Sequence, residues 1–396
     1  MRYYRLILFC LLLFPYAVFG QGGVITGTIT NEETKGPLPR ASVFLSNSSV
    51  GTATDDNGKF TLSGIRAGQY TLTVTILGYE DYSENILVGR EPIKMNIALK
   101  PKPLMLKGVV ISSSADWKKN YESFKKDFIG TDENSRACIV INPHVLDLNY
   151  NRTRQTLEAN SDEFLVVENK ALGYRIKFLL KDFQSDRLSG RISWGGERLF
   201  EDLPGSASQK KKWHEKREEA YYGSEMHFLR SLYTGKLAEN GFVTYHLNRQ
   251  LNPDRPPEDV IRRKVKMFYE MRMGDSLNYW QGLASLSKYY RETLDKTPLM
   301  PYQVWSNTDK AGLFALHSEN YLYVVYTEKR DEEYNKDLYR PLDMPNYETS
   351  IITLFQPYAL FDMNGVIVGE PPLVEGAWAK SRLSDLLPVD YVPDTR

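Results

Sequence analysis

Thr54-Asp55-Asp56-Asn57-Gly58-Lys59-Phe60 lies inside the stretch Val24 to Lys100, and the reading of that stretch decides the fold at the front of the chain. Asn-Gly between Thr-rich runs is a strong short-range hairpin signal, because a tight hairpin turn demands positive φ at its central residues. Outward from it the period is two. Tyr70, Leu72, Val74 and Ile76 alternate with Thr71, Thr73 and Thr75, while Ile93, Met95, Ile97 and Leu99 alternate with Lys94, Asn96 and Ala98. Successive strand side chains point to opposite faces, so these are strands with one buried and one wet face. Shorter runs at Val24 to Thr30, Ala41 to Leu45, Val50 to Thr54, Phe60 to Leu62 and Ser83 to Val88 bring the count to about seven, punctuated at Gly36-Pro37, Ala67-Gly68 and Gly78. Seven short strands in under eighty residues predict a two-sheet antiparallel sandwich. The oxygens of Asp55, Asp56 and Asn57 also suit a calcium loop, but the distal glutamate of an EF-type loop is missing and the turn is the reading adopted.

Before this stretch, residues 1–20 carry Arg2 and Arg5, an apolar run from Leu6 to Phe14, Pro15 and a small-residue end at Val18-Phe19-Gly20. That is the pattern of a secretory leader, with cleavage expected between Gly20 and Gln21. The run is too short to cross a bilayer, which takes about 20 residues, and no later segment reads as a transmembrane span. Cys10 lies within the run rather than after a cleavage site, so a lipid anchor is not expected. The 50 basic and 50 acidic side chains balance, and loss of the two leader arginines makes the remainder slightly acidic. Bulk attraction to nucleic acid is therefore not expected. Cys138 is the only cysteine after the leader, which excludes an internal disulfide. It opens the apolar run Cys138-Ile139-Val140-Ile141 and reads as a small buried hydrophobe; a reactive thiol near His144 is the alternative.

Gly27-Thr28-Ile29, Pro39-x-Ala41-x-Val43, Thr54-Asp55-x-Asn57-Gly58-x-Phe60-x-Leu62, Gly68-x-Tyr70-x-Leu72 and Gly78-Tyr79, in that order, resemble the carboxypeptidase regulatory-like domain over residues 22–101. The resemblance implies a transthyretin-like sandwich that serves as an accessory module without catalytic residues, in an exported protein of the Gram-negative envelope. Lys100-Pro101-Lys102-Pro103 closes the sandwich, since prolines stiffen a linker and cannot donate to a ladder. Residues 102–115 then form a linker or one extra strand at Leu104 to Ile111. Fewer than three hundred residues follow, several of them helical, which excludes the large receptor barrel that follows this module in some of its relatives.

Residues 116–396 read as one α+β region. An amphipathic helix places Trp117, Tyr121, Phe124 and Phe128 on one face and stops at Gly130. Strands are expected at Cys138 to Ile141, Phe164 to Glu168 and Tyr174 to Phe183, with Trp194-Gly195-Gly196 as a turn. A single helix is expected from about Gln209 to Tyr233, capped by Gly235. Pro256-Pro257 can open another helix. Strands return at Asn320 to Thr327 and Ser350 to Leu354, then a hairpin from Tyr358 to Val368 turning at Asp362-Met363-Asn364-Gly365. A short helix carrying Ala379, Leu383, Leu386 and Leu387 ends at Pro388. Three downstream segments, Glu168-Asn169-x-Ala171-Leu172-Gly173-Tyr174, Tyr222-Gly223-Ser224-x-x-His227-Phe228-Leu229-Arg230, and Gly376-x-Trp378-Ala379 leading to Leu386-Leu387-Pro388-x-Asp390-Tyr391, resemble a group of bacterial exported proteins with the same sandwich in front. That resemblance implies architecture and compartment, not a mechanism.

None of the catalytic spacings tested is met. His144, His214, His227, His246 and His317 include no His-x-x-Glu and no His-Glu-x-x-His, so a zinc peptidase is not expected. His214 and His227, thirteen residues apart on one predicted helix, would point about 140° apart and could not share a metal. Ser224, Glu225 and His227 lack the Gly-x-Ser-x-Gly elbow, and no dinucleotide or Walker glycine pattern exists. Lys210-Lys211-Lys212 followed by Glu215, Glu218 and Glu219 suits a solvated helix face. Tyr289-Tyr290, Tyr321, Tyr323 and Tyr326 fit core packing better than a sugar-stacking surface. No catalytic, cofactor or metal residues are assigned. The expectation is a non-catalytic envelope protein, in the periplasm, at the outer membrane or secreted, that binds a protein or glycan through its C-terminal region. The alternative is a hydrolase using an Asp/Glu acid–base pair, which leaves no short sequence signature.

Overall fold

A computed structural model describes residues 22–102, 114–152, 154–187, 189–331 and 345–394. The leader with its Gly20–Gln21 cleavage position, and the extra strand expected at Leu104 to Ile111, lie outside the described residues.

The front of the chain folds into seven strands: β1 (Gly23–Asn31), β2 (Ser42–Leu45), β3 (Gly51–Ala53), β4 (Lys59–Ile65), β5 (Gly68–Thr75), β6 (Tyr82–Val88) and β7 (Ile93–Leu99). They form two sheets, β4-β1-β7 and β3-β2-β5-β6. The alternation does what it predicts: Ile25, Ile29, Phe60, Leu62 and Ile97 from one sheet meet Val43, Leu72, Val74 and Val88 from the other in one core. Each such side chain contributes about 1.5–3 kcal/mol on burial. One pairing differs from the antiparallel expectation, because β1 and β7 run parallel. Gly27 permits their close approach; a Cβ there would lie 1.7 Å from the Met95 carbonyl oxygen. The Asp55–Gly58 element is a turn. Gly58 has φ +72°, and the Asp55 carboxylate is spent on the amides of Asn57 and Lys59 at 2.9 and 2.8 Å.

The second part opens with α1 (Ser114–Ile129), whose Phe124 and Phe128 are fully buried against Phe178 and Phe183. It ends at Gly130, φ +117°. After α2 (Glu133–Arg136) come β8 (Cys138–Val140), β9 (Leu146–Asn151), β10 (Thr156–Ser161), β11 (Leu165–Asn169), β12 (Tyr174–Asp186) and β13 (Arg191–Asp202). Long β12 carries β11 and β10 at its two ends and β13 along its length, all antiparallel. Trp194-Gly195-Gly196 is therefore not a turn but the interior of β13. The glycines face a bulge in β12, where the register slips between Leu180 and Asp182. Gly196 has φ +142°, and a Cβ on it would lie 2.1 Å from the Leu179 carbonyl oxygen. Glycine in a strand commonly marks a bulge, and a two-glycine reading confined to neighbours misses it.

The single helix expected over 209–233 is two: α3 (Ala207–Tyr221) and α4 (Glu225–Tyr233). Gly223, at φ +87°, turns the chain, and Ser224 caps α4 by accepting from the His227 amide. Next come β14 (Phe242–Leu251), α5 (Glu258–Glu270), α6 (Gly274–Ser285), β15 (Tyr289–Leu294), β16 (Trp305–Asn307), β17 (Leu313–His317), β18 (Tyr321–Arg330), β19 (Tyr347–Thr353), β20 (Tyr358–Asp362), β21 (Ile367–Val368) and β22 (Leu373–Gly376). Sheets β15-β14-β18-β19-β22 and β16-β17-β20-β21 share with α4 a core containing Phe228, Leu232, Val324 and Phe361. Tyr323 and Tyr326 are buried, which fits the packing reading, whereas Tyr290 is exposed. The final helix is also broken: α7 (Ala377–Lys380) is followed by a separate 3-10 turn at Leu383–Asp385. The whole is an all-β sandwich followed by a larger α+β region.

The two parts are joined by more than a linker. The loop after β2 lies parallel along β13, with the Asn47 amide donating to the Arg198 carbonyl at 2.7 Å and the Phe200 amide to the Ser48 carbonyl at 2.9 Å. Arg198 also donates to the Asn47 side chain at 2.6 Å. From the far end of the chain, Val389 enters the sandwich core and its amide donates to the Asn47 carbonyl at 2.7 Å.

Candidate functional site: a groove beside Trp213

A groove of about 630 Å3 opens between α2, the turn joining β11 to β12, and α3. Its organising side chain is Trp213. The indole Nε1 donates to the Lys170 carbonyl at 2.8 Å, and the ring lies against the backbone of Gly173 and Gly205. A Cβ on either glycine would come within 2.2 or 2.5 Å of the ring. The turn beneath is built locally: Asn169, fully buried, accepts from the amides of Ala171 and Leu172, both at 3.0 Å, and donates to the Ser384 carbonyl at 2.8 Å. Arg217 fixes it from the helix side, donating to the carbonyls of Leu172 and Gly173 and to Asp202 while stacking 3.7 Å over the Tyr174 ring.

The groove walls are charged with both signs. Arg175 pairs with Glu168 at 2.8 Å, and that hydrogen bond holds its guanidinium above the ordinary range. Lys216 bridges Glu219 at 2.8 Å and Glu133 at 3.4 Å. Lys212 stands exposed at the rim, on the solvated helix face the sequence predicts. Among the described residues lining the groove there is no His, Ser, Thr or Cys, and both carboxylates are engaged by cations. Such a surface offers one aromatic ring, hydrogen-bond donors and acceptors, and fixed charge.

The residues singled out in the sequence lie elsewhere. His227 is buried at the start of α4, where its Nδ1 accepts from the Gly223 amide at 3.2 Å amid the rings of Tyr221, Tyr222, Phe242 and Tyr326. This is the packed role expected of it. His246 lies on β14 and His317 on β17. His144 sits in a 3-10 turn. Cys138 is half-buried, and burial pushes its thiol up to about 12, away from a reactive thiolate. His214 lies 3.0 Å from Asp394 and 3.8 Å from Glu218. Sequence reasoning missed both Trp213 and that triad. A lone tryptophan inside Lys210-Lys211-Lys212-Trp213-His214-Glu215 was the available signal for the first.

The three downstream segments that resemble other exported proteins converge on the segment 384–394. Asn169 holds Ser384. Arg230 donates to the carbonyls of Val389 at 2.8 Å, Tyr391 at 2.9 Å and Asn364 at 2.8 Å. Trp378 Nε1 donates to the Gly223 carbonyl at 2.7 Å, and Asp390 accepts from the Ser49 amide at 2.8 Å and from its hydroxyl. In this chain, Asn169 and Arg230 of these segments fasten residues 384–391.

No curated protein matches this chain. Among solved structures, the cohesin–X-dockerin complex of Acetivibrio cellulolyticus is 21% identical over 19% of this chain and 53% of its own, with TM-score 0.18. The group B streptococcus pilus 2b backbone protein is 19% identical over 21% and 42%, TM-score 0.19. A protein of unknown function from Bacteroides fragilis is 9% identical over 85% and 89%, TM-score 0.17. The chain thus spans about half the length of the first structures it matches. Residues 25–111 match the family model of the CarboxypepD_reg-like domain, a stretch that includes most of β1 and all of β2 to β7.

Proposed function

We propose that this chain is a non-catalytic cell-envelope protein that binds a glycan in the groove beside Trp213, with the sandwich at residues 22–101 as accessory module and residues 116–396 as the binding region. The reading includes export through the leader at residues 1–20, giving Gln21 as the mature terminus. The observation that carries it is the groove itself. A tryptophan backed by two glycines and flanked by Arg175, Lys212 and Lys216 offers a sugar ring a stacking surface and its hydroxyl or carboxylate groups charged partners. The hydrolase reading draws less support, because two of the three acids that burial pushes up serve structure, the third being Glu225, pushed up to about 7 in the first turn of α4. Asp362 caps the β20–β21 turn through the amides of Asn364 and Val366, and Asp385 is bound by Asn134.

One observation favours a protein partner instead. Tyr269, Met271, Met273 and Tyr279 stand exposed together on the α5–α6 pair, and exposed aromatic and Met side chains are enriched at protein interfaces. The test is a screen of the mature protein against acidic and neutral oligosaccharides, beside a pull-down from solubilised envelope. Trp213→Ala is expected to weaken glycan binding at least tenfold, the order of a lost stacking contact. Glycan binding unchanged in Trp213→Ala, or turnover abolished by a single Asp or Glu substitution, would sink the proposal.

A further inference from the structure

We infer that His214, Glu218 and Asp394 form a binding site for a first-row divalent metal, zinc being the best fit, that clasps the C-terminal segment onto α3. His214 and Glu218 are one helical turn apart on the fifteen-residue α3, a spacing that puts two ligands on one face. Asp394 arrives from a distant segment on a defined path: the Tyr222 hydroxyl donates to its carbonyl at 3.0 Å, and Arg230 holds Tyr391 and Val389 just before it. His214 Nε2 lies 3.0 Å from Asp394 Oδ2 and 3.8 Å from Glu218 Oε1, and the three ligand atoms all lie within 4.8 Å of one another.

A metal bonded at about 2.0–2.2 Å to nitrogen and oxygen in a tetrahedron needs ligand atoms roughly 3.2–3.6 Å apart. The two distances from His214 Nε2 bracket that value, and the Glu218 and Asp394 carboxylates, within 4.8 Å of each other and both reachable by side-chain rotation, complete the set. One imidazole and two carboxylates make a zinc-type donor set. They are a poor one for calcium or magnesium, which take oxygen ligands in larger number. Three protein ligands leave a fourth position for water or an external group. The clasp also bears on the groove, since Trp213 precedes His214 on the same helix.

The test is calorimetric titration of zinc chloride into chelator-stripped mature protein, with circular dichroism to confirm folding of each variant. Wild type is expected to bind one zinc with a micromolar Kd. His214→Ala and Asp394→Asn, both changes at partly or largely exposed positions, are each expected to weaken binding at least tenfold, and His317→Ala to leave it unchanged. Zinc is also expected to slow proteolytic cleavage within residues 385–394 in wild type and not in His214→Ala. Absence of saturable binding up to about 1 mM zinc, or equal binding by wild type and His214→Ala, would overturn the inference. Because these measurements contain no glycan, their failure leaves the groove proposal to its own test.

Discussion

Replacing Arg230 with methionine tests whether the last segment of the chain is a structural member or a loose tail. The guanidinium donates to three main-chain carbonyls, those of Asn364, Val389 and Tyr391, at 2.8, 2.8 and 2.9 Å. Asn364, Val389 and Tyr391 are all buried. A hydrogen bond to a charged group contributes about 1.5–3 kcal/mol net, and a buried acceptor left without a donor costs about 1–3 kcal/mol. Methionine keeps most of the side-chain volume, so the loss is chiefly polar. Three bonds that act as a unit do not add fully, and the expected destabilisation is about 3–5 kcal/mol. At about 2–4 °C per kcal/mol for folded units of 150–250 residues, the Tm should fall by roughly 10 °C. Calorimetry of wild type, Arg230→Met and Arg263→Met measures it. Arg263 pairs with Asp259 on the surface of α5, both largely exposed, and its replacement should change stability by less than about 0.5 kcal/mol. Hydrogen exchange adds a local readout, because the amides of residues 385–394 should lose protection before those of β12. An Arg230 variant indistinguishable from the Arg263 variant would refute the reasoning.

Two further outcomes are expected. Gly196→Ala forces a Cβ to within 2.1 Å of the Leu179 carbonyl at φ +142° and should cost at least about 2 kcal/mol, whereas Gly64→Ala, at φ +73° in open space, should cost only about 1–2 kcal/mol; equal denaturant midpoints would show that the bulge is not constrained. Burial pushes Asp362 up from 3.8 to about 6, against the pull of its backbone hydrogen bonds, so the folded state holds this proton more tightly than the unfolded chain. The stability it gives is complete below about pH 4 and is lost as pH rises through 6, up to about 3 kcal/mol in all. Denaturant titrations from pH 4 to 7 should therefore show a flatter profile for Asp362→Asn than for wild type, and parallel profiles would exclude that role.

The parts of this molecule legible in its sequence are those whose causes are local. Alternation at Tyr70 to Ile76 and the Asn57-Gly58 turn need only neighbouring residues to act, and the sandwich follows from them. The α1 stripe of Phe124 and Phe128 is of the same kind. Trp194-Gly195-Gly196 misleads because the reason for its glycines is the carbonyl of Leu179 on another strand. The break at Gly223 hides within a helical pattern because the reading of 209–233 weighs apolar spacing and passes over the Ser224 cap. The groove is less legible still. Its wall residues come from α2, from the turn at 168–175 and from residues 203–216, and Trp213 acquires meaning only once Gly173 and Gly205 lie beneath it.

The entry of Val389 into the core of the sandwich bears on the order of events during synthesis. The seven strands are complete once residue 99 has been made, yet their hydrophobic interior still lacks a side chain encoded nearly three hundred positions later. Until that side chain arrives, the Asn47 carbonyl lacks the Val389 amide. The module made first therefore takes its full set of core contacts only when residue 389 is in place.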